Sequence, residues 1–214
     1  MNTLEYQNIK ITWLGHASFL IKNNLVIYID PFELPEELEK ADIIFVTHEH
    51  YDHCSPSDIK KVSKDDTVVV ATEDCISKLK EFKVFPVVPE KDYEVKGIKF
   101  RTVPAYNLTK SFHTRTSNWV GYVIEFGGVR VYHAGDTDAT KEMGELRDID
   151  IALLPVGGTY TMNYKEAAEA VNTFKPKIAI PMHFGKIVGS VEDAEMFKEL
   201  GESSKVIILE PLKK

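Results

Sequence analysis

Three segments of the 214-residue chain, IIFV at 43–46, IALLPV at 151–156 and IAIPM at 178–182, are unbroken apolar runs. A strand with one wet face alternates apolar and polar residues. Runs without alternation therefore predict strands buried on both faces, with helices covering a central sheet. Each run leads into small or metal-capable residues: Thr47 and His48 after the first, Gly157 and Gly158 after the second, His183 after the third. Layered α/β architectures place their ligands where strand ends open into loops, so the three ends are expected to converge on one edge.

The segments between these runs fill in a strand-rich α/β pattern. IKITWLGH, ASFLIK and LVIYIDP read as a β-meander, with a two-residue turn at Asn23 and Asn24 that tolerates positive φ. After DIIFVT comes SPSDIKKV, a short helix that Ser55 or Ser57 can cap. The middle offers strand TVVVAT, helix EDCISKLKEF, strands around FPVVP and KGIKFRTVPAYN, and a hairpin WVGYVIEF-GG-VRVYHAG. The last third alternates strand DIALLPV, helix NYKEAAEAVNTF, strand KIAIPM, helix VEDAEMFKEL and strand KVIILE. With 43% hydrophobic residues, no linker and no repeat, residues 1–214 are expected to form a single α/β domain.

A formal charge of −7 weighs against nucleic-acid and anionic-membrane partners and favours a small-molecule substrate. Cys54 and Cys75 are too few for a disulfide framework and are read as free thiols. The N-terminus has neither a basic lead nor a continuous apolar region, and no stretch approaches the roughly 18 apolar residues of a membrane span. A cytoplasmic location is expected, and the sequence carries no signature of an oligomeric state.

The chemistry concentrates in VTHEHYDHC, residues 46–54, where His48, His50 and His53 surround Asp52. Chance places H-x-H-x-D-H in only about 4 of 10,000 chains of this composition. Imidazole and carboxylate are ligands for Zn²⁺ and related metals, and two histidines two apart in an extended loop can turn their rings the same way. His48 and His50 then share one metal, while Asp52 and His53 are free to address a second. Two ions cannot be surrounded by one short loop, so distant strand ends must contribute; Asp136 in HAGDTD and His183 in PMHFG are the candidates.

WLGHASF, THEHYDH, YHAGDT and PMHFG occur in this order along nearly the whole chain. In this respect the sequence resembles the metallo-β-lactamase fold superfamily, in particular its ascorbate-phosphate lactonase-like and N-acylphosphatidylethanolamine phospholipase D-like hydrolases. The resemblance implies an αββα sandwich, a one- or two-metal site and hydrolysis by water. It also implies that His48, His50, Asp52, His53, Asp136 and His183 are metal ligands. Relatives often place a further histidine a few residues after the strand matching IKFRTV; here that position holds Asn107, and His113 follows six residues later. His113 is favoured as the ligand because a neutral amide oxygen suits such a site less well, with Asn107 as a substrate contact or weak ligand as the competing assignment.

The expected cofactor is a divalent metal, Zn²⁺ above all, two per chain, with Mn²⁺ or Fe²⁺ also compatible with these donors. Asp52 is assigned the further role of accepting a proton from the attacking water. His16 and Asp30 are expected to support the ligands, His16 with a structural role equally open. Lys110 and Arg115 could hold a phosphate or carboxylate of the substrate, against the alternative of a solvated loop. His133, inside a strand, is read as a core histidine. The favoured function is hydrolysis of a small ester, lactone or phosphodiester; a metal-dependent nuclease and a nonenzymatic metal-binding or sensor module remain the alternatives.

Overall fold

The computed structural model describes residues 1–212 of the chain. The first sheet runs in sequence order: β1 (Thr3–Tyr6), β2 (Ile9–Gly15), β3 (Ser18–Lys22), β4 (Val26–Ile29), β5 (Ile43–Phe45), β6 (Val68–Thr72) and β7 (Lys83–Val87). The second does the same with β8 (Asp92–Val95), β9 (Ile98–Pro104), β10 (Val120–Phe126), β11 (Val129–His133), β12 (Ile151–Pro155), β13 (Ile178–Met182) and β14 (Lys205–Val206). In each sheet the first four strands pair antiparallel and the last three add on in parallel.

The apolar runs are buried on both faces, but by two sheets rather than one central sheet. In β5, Ile43 and Phe45 enter the core between the sheets, while Ile44 faces the layer containing Ile59 and Val62 of α1 (Pro56–Val62). On the other side, α3 (Tyr164–Phe174) and α4 (Val191–Leu200) pack on β12 and β13, with Val171, Phe174 and Phe197 buried. The result is the αββα sandwich, completed by the one-turn α2 (Lys141–Gly144).

Local sequence accounts for most boundaries. Ser55 caps α1 with Pro56 at its first position, and Asn163 opens α3 through a reciprocal capping box with Glu166. Gly127 and Gly128, at φ +58° and +96°, close the β10–β11 hairpin as a two-residue turn with two left-handed positions requires. The turn at Asn23 differs from expectation. Lys22 pairs with Val26, so three residues connect the strands, and the Asn23 side chain accepts from Leu25 N instead of adopting positive φ.

EDCISKLKEF does not form a helix; only the 3₁₀ turn Glu73–Cys75 and further turns are present. Thr72 donates to Asp74, whose other oxygen accepts the Trp119 indole N–H, and these side-chain bonds hold the backbone in turns. KVIILE is also shorter than expected, with β14 limited to Lys205–Val206. β1, which pairs with β2, was not among the expected strands.

The two sheets are tied together where their strands end. Val120 N donates to Thr47 O at 3.2 Å, His183 N to His16 O at 3.0 Å, and the Tyr122 hydroxyl to Val46 O at 2.7 Å. Gly157, after β12, is part of this junction: a Cβ there would lie 2.2 Å from the His183 carbonyl oxygen and 2.8 Å from a Val188 methyl. Backbone cannot yield as a flexible side chain does. Gly157→Ala is therefore expected to destabilise the fold by about 1–3 kcal/mol, the usual range for overpacking. An unchanged denaturant midpoint would show that the junction is looser than this geometry.

Candidate metal centre

Every candidate ligand lies on a loop at that junction. His48, His50, Asp52 and His53 follow β5, Asp136 follows β11, His183 follows β13, and His113 lies in the segment between β9 and β10. The ligand atoms of His48, His50 and His113 all fall within 4.8 Å of one another, as do those of His16, Asp52, His53 and His183. A third group within the same limit, His48, His53 and Asp136, joins the two. Asp136 stands between the sets: its Oδ2 is 3.2 Å from both His113 Nε2 and His183 Nε2, and its Oδ1 is 3.3 Å from His53 Nε2.

Hydrogen bonds behind the rings decide which nitrogen is available. The Thr47 hydroxyl donates to Asp30 Oδ2 at 2.7 Å, so toward His48 Nδ1, 2.9 Å away, it can only accept. His48 therefore carries its proton on Nδ1 and turns the Nε2 lone pair inward. His53 Nδ1 donates to the same Asp30 oxygen at 2.7 Å, again leaving Nε2 for the site. His113 Nδ1 donates to Asn107 Oδ1 at 3.2 Å, with Nε2 facing Asp136. Outer carboxylates and amides that orient metal-binding imidazoles work in this way.

The donor set fits a divalent metal by its own unmet bonding. His53 Nε2, His113 Nε2, both ring nitrogens of His183 and Asp136 Oδ1 are buried without a hydrogen-bond partner. Such atoms are costly unless something coordinates them. Burial, reinforced by neighbouring His53, pushes His48 well below the usual imidazole range and favours its neutral, ligating form. Burial also works against ionisation of Asp136 and Asp52. His183 and His53 overcome it at Asp136, holding the carboxyl well below its usual range; at Asp52 the His16 hydrogen bond and His53 bring it down to about 2.

Asp30 lies behind His53 and Thr47 and accepts a hydrogen bond from each. His16 is closer to the ligands than a supporting role alone requires: its Nε2 is 2.9 Å from Asp52 Oδ2, and its ring centroid is 3.9 Å from that of His183. His133 is held away from the ligands, with Nε2 donating to Ala17 O and Nδ1 accepting from Gly135 N.

Asn107, read above as a substrate contact or weak ligand, has its side chain fully engaged inside the protein. Its amide donates to Asp138 and the Tyr160 carbonyl, while its oxygen accepts from the His113 backbone and ring. Lys110 and Arg115 do not stand free for an anion either: Lys110 bonds Asp138 at 2.7 Å, and Arg115 bonds Glu142 at 2.8 Å and lies over Tyr106. Their carboxylate partners, far away in sequence, supply the countercharge.

Two contributors escape the sequence reading. Asp138 accepts from Asn107, Leu108 N and Lys110, fixing the loop that carries His113. Its spacing from Asp136, two residues apart in one loop, was the available signal. Trp119 packs against His48 and His50, each at 4.8 Å between centroids, and nothing in its local sequence marked it. Because Asn107 orients His113, Asn107→Ala is expected to lower metal affinity about 10–100-fold, the usual cost of losing an outer hydrogen bond. Competition with a chelating dye measures this; wild-type affinity would show that His113 needs no such support.

Comparison with known proteins agrees with this geometry. Residues 10–183 match the model of the β-lactamase superfamily domain. The chain is 40% identical to a UPF0173 metal-dependent hydrolase of Thermococcus onnurineus, over 95% of this chain and 97% of that one. Among solved structures, a Parabacteroides distasonis protein described as a candidate metal-dependent hydrolase is 37% identical, with a TM-score of 0.87 over 98% of this chain and 99% of the other. Igni18, a metallo hydrolase of Ignicoccus hospitalis, superimposes with a TM-score of 0.78 at 26% identity, covering 96% of each chain. The chain belongs to the metallo-β-lactamase superfamily, in a family whose members are named metal-dependent hydrolases.

Proposed function

We propose that the protein hydrolyses a small ester, lactone or phosphodiester at a two-metal centre. The observation that carries this reading is the central Asp136, whose two oxygens face imidazoles from both ligand sets. His48, His50 and His113 would hold one ion, Asp52, His53 and His183 the other, with Asp136 between them. Zn²⁺ is the favoured metal, and these nitrogen and oxygen donors also suit Mn²⁺ or Fe²⁺. Bound there, a divalent metal lowers the pKa of water toward about 7 and polarises the bond under attack.

The chain's own residues orient and deprotonate. Asp52 is ionised at neutral pH, so it is in the state that accepts a hydrogen bond from the attacking water and draws off its proton. Its low pKa makes it a weak store for that proton, so the transfer is transient. His16, bonded to Asp52 Oδ2, fixes the carboxylate's direction. The Asp30 pair of bonds does the same for His53 and, through Thr47, for His48. No serine or cysteine nucleophile is required; Cys54 and Cys75 are buried. Among the described residues, no helix is long and apolar enough to cross a membrane.

Elemental analysis of protein purified without added metal should find two ions per chain, and a chelator should abolish turnover that Zn²⁺ or Mn²⁺ restores. Asp52→Asn should keep the fold and lose at least about 10²-fold in rate. His113→Ala should lose metal and activity together. Full activity in Asp52→Asn, or unchanged stoichiometry in His113→Ala, would reject the corresponding assignment.

A further inference from the structure

Beside His16 lies a cavity of about 840 Å³, which none of the catalytic assignments uses. Trp13, Phe32, Phe184, Val191 and Ile208 are among the residues that line it. The volume falls within the range of about 300–1,000 Å³ typical of small-molecule pockets. His16 belongs to the cavity and to the candidate metal centre at once: it lines the cavity, while its Nε2 is 2.9 Å from Asp52 Oδ2. Phe184 directly follows His183 and packs on Trp13 with ring centroids 5.0 Å apart. His16 and Phe184 thus connect the cavity to the second candidate ligand set.

We propose that this cavity receives an apolar acyl arm of the substrate, so that the preferred substrates are esters of extended or branched hydrocarbon acids. The proposal rests on the hydrolytic reading above and narrows it. The aromatic and aliphatic side chains on its walls offer no hydrogen bonds to a polyol or sugar lactone, which would lose its water against them without replacement. An anionic phosphodiester is equally ill served. The lysines that line the cavity, Lys186 and Lys198, are matched there by Glu33, Glu195 and Glu210, and Lys186 is ion-paired with Glu33. Apolar burial is the interaction the walls do supply.

The reaction is ester hydrolysis. The water oxygen bonds to the carbonyl carbon and the bond from that carbon to the alkoxy oxygen breaks. The departing oxygen takes one proton of the water, and the other is released as the acid ionises. The products are a carboxylate, an alcohol and one proton, with no oxidant or reductant involved.

The test runs Zn²⁺-loaded protein on p-nitrophenyl acetate, butyrate, hexanoate and octanoate, with calorimetric titration of the matching free carboxylates on the same preparation. Both kcat/KM and carboxylate affinity should rise about fourfold for each methylene that enters the cavity, the worth of one buried CH₂. Val191→Trp, which narrows the cavity, should lower the octanoate-to-acetate ratio. Val191→Asp places a charge at the same point, and an acidic residue in the first turn of α4 favours the helix, so the fold is retained. A rising affinity series without turnover of any ester supports the cavity and sinks the hydrolytic reading. Turnover with flat chain-length dependence does the reverse, and a steep series that persists in both variants also overturns the cavity proposal.

Discussion

The arrangement depends on one buried carboxylate. Asp136 is only 4% exposed, and the side chains nearest its oxygens are the imidazoles of His53, His113 and His183. Isolated in such a place, a carboxylate would take up a proton to avoid the cost of a buried charge. Here the neighbouring rings hold it ionised against that cost. A divalent cation would take the place of the ring protons beside the carboxylate, and four separate loops must reach one point to build the arrangement. That requirement accounts for the left-handed backbone at His16, Asp30 and His183, with φ of 51°, 45° and 59°. Positive φ is strained for residues other than glycine and persists where surrounding structure enforces it.

The sandwich supplies the enforcement. Each half of the chain lays down four antiparallel strands and then three parallel ones, so both sheets deliver strand ends to the same edge. Cross-sheet bonds from Val120 to Thr47 and from His183 to His16 then lock the two edges together. Neither sheet could form the centre alone: His48 and Asp52 belong to the first half, His113, Asp136 and His183 to the second. Packing between the sheets thus sets the distances on which any metal chemistry would depend.

Most of this architecture was legible because its signals are local. Unbroken apolar runs marked β5, β12 and β13; the paired glycines marked the hairpin; Asn163 with Glu166 marked the start of α3. Expectation failed where a distant residue decides the outcome. The helix expected at EDCISKLKEF gives way to turns held by Trp119 and Thr72. Lys110 and Arg115 look available for an anion only until Asp138 and Glu142 are seen beside them. The same limit explains Asn107. Sequence alone shows an asparagine near the place of a ligand, whereas its partners show that it aims His113, six residues on.

Asp30 carries this logic one layer outward. A single carboxylate accepts from His53 Nδ1, from the Thr47 hydroxyl and from Thr47 N, and through that hydroxyl it also fixes the proton on His48. His48 and His53 belong to different candidate ligand sets, so this one carboxylate orients a ring in each. Each ring so fixed has less rotamer freedom left to lose when a metal arrives, which lowers the entropic cost of binding. On the other side of the centre, Asp138, Asn107 and His113 form a parallel chain of bonds. The candidate centre is thus aimed from two directions by carboxylates outside the candidate ligand set, and the tight geometry that a multi-ligand site demands would rest on them as much as on the ligands.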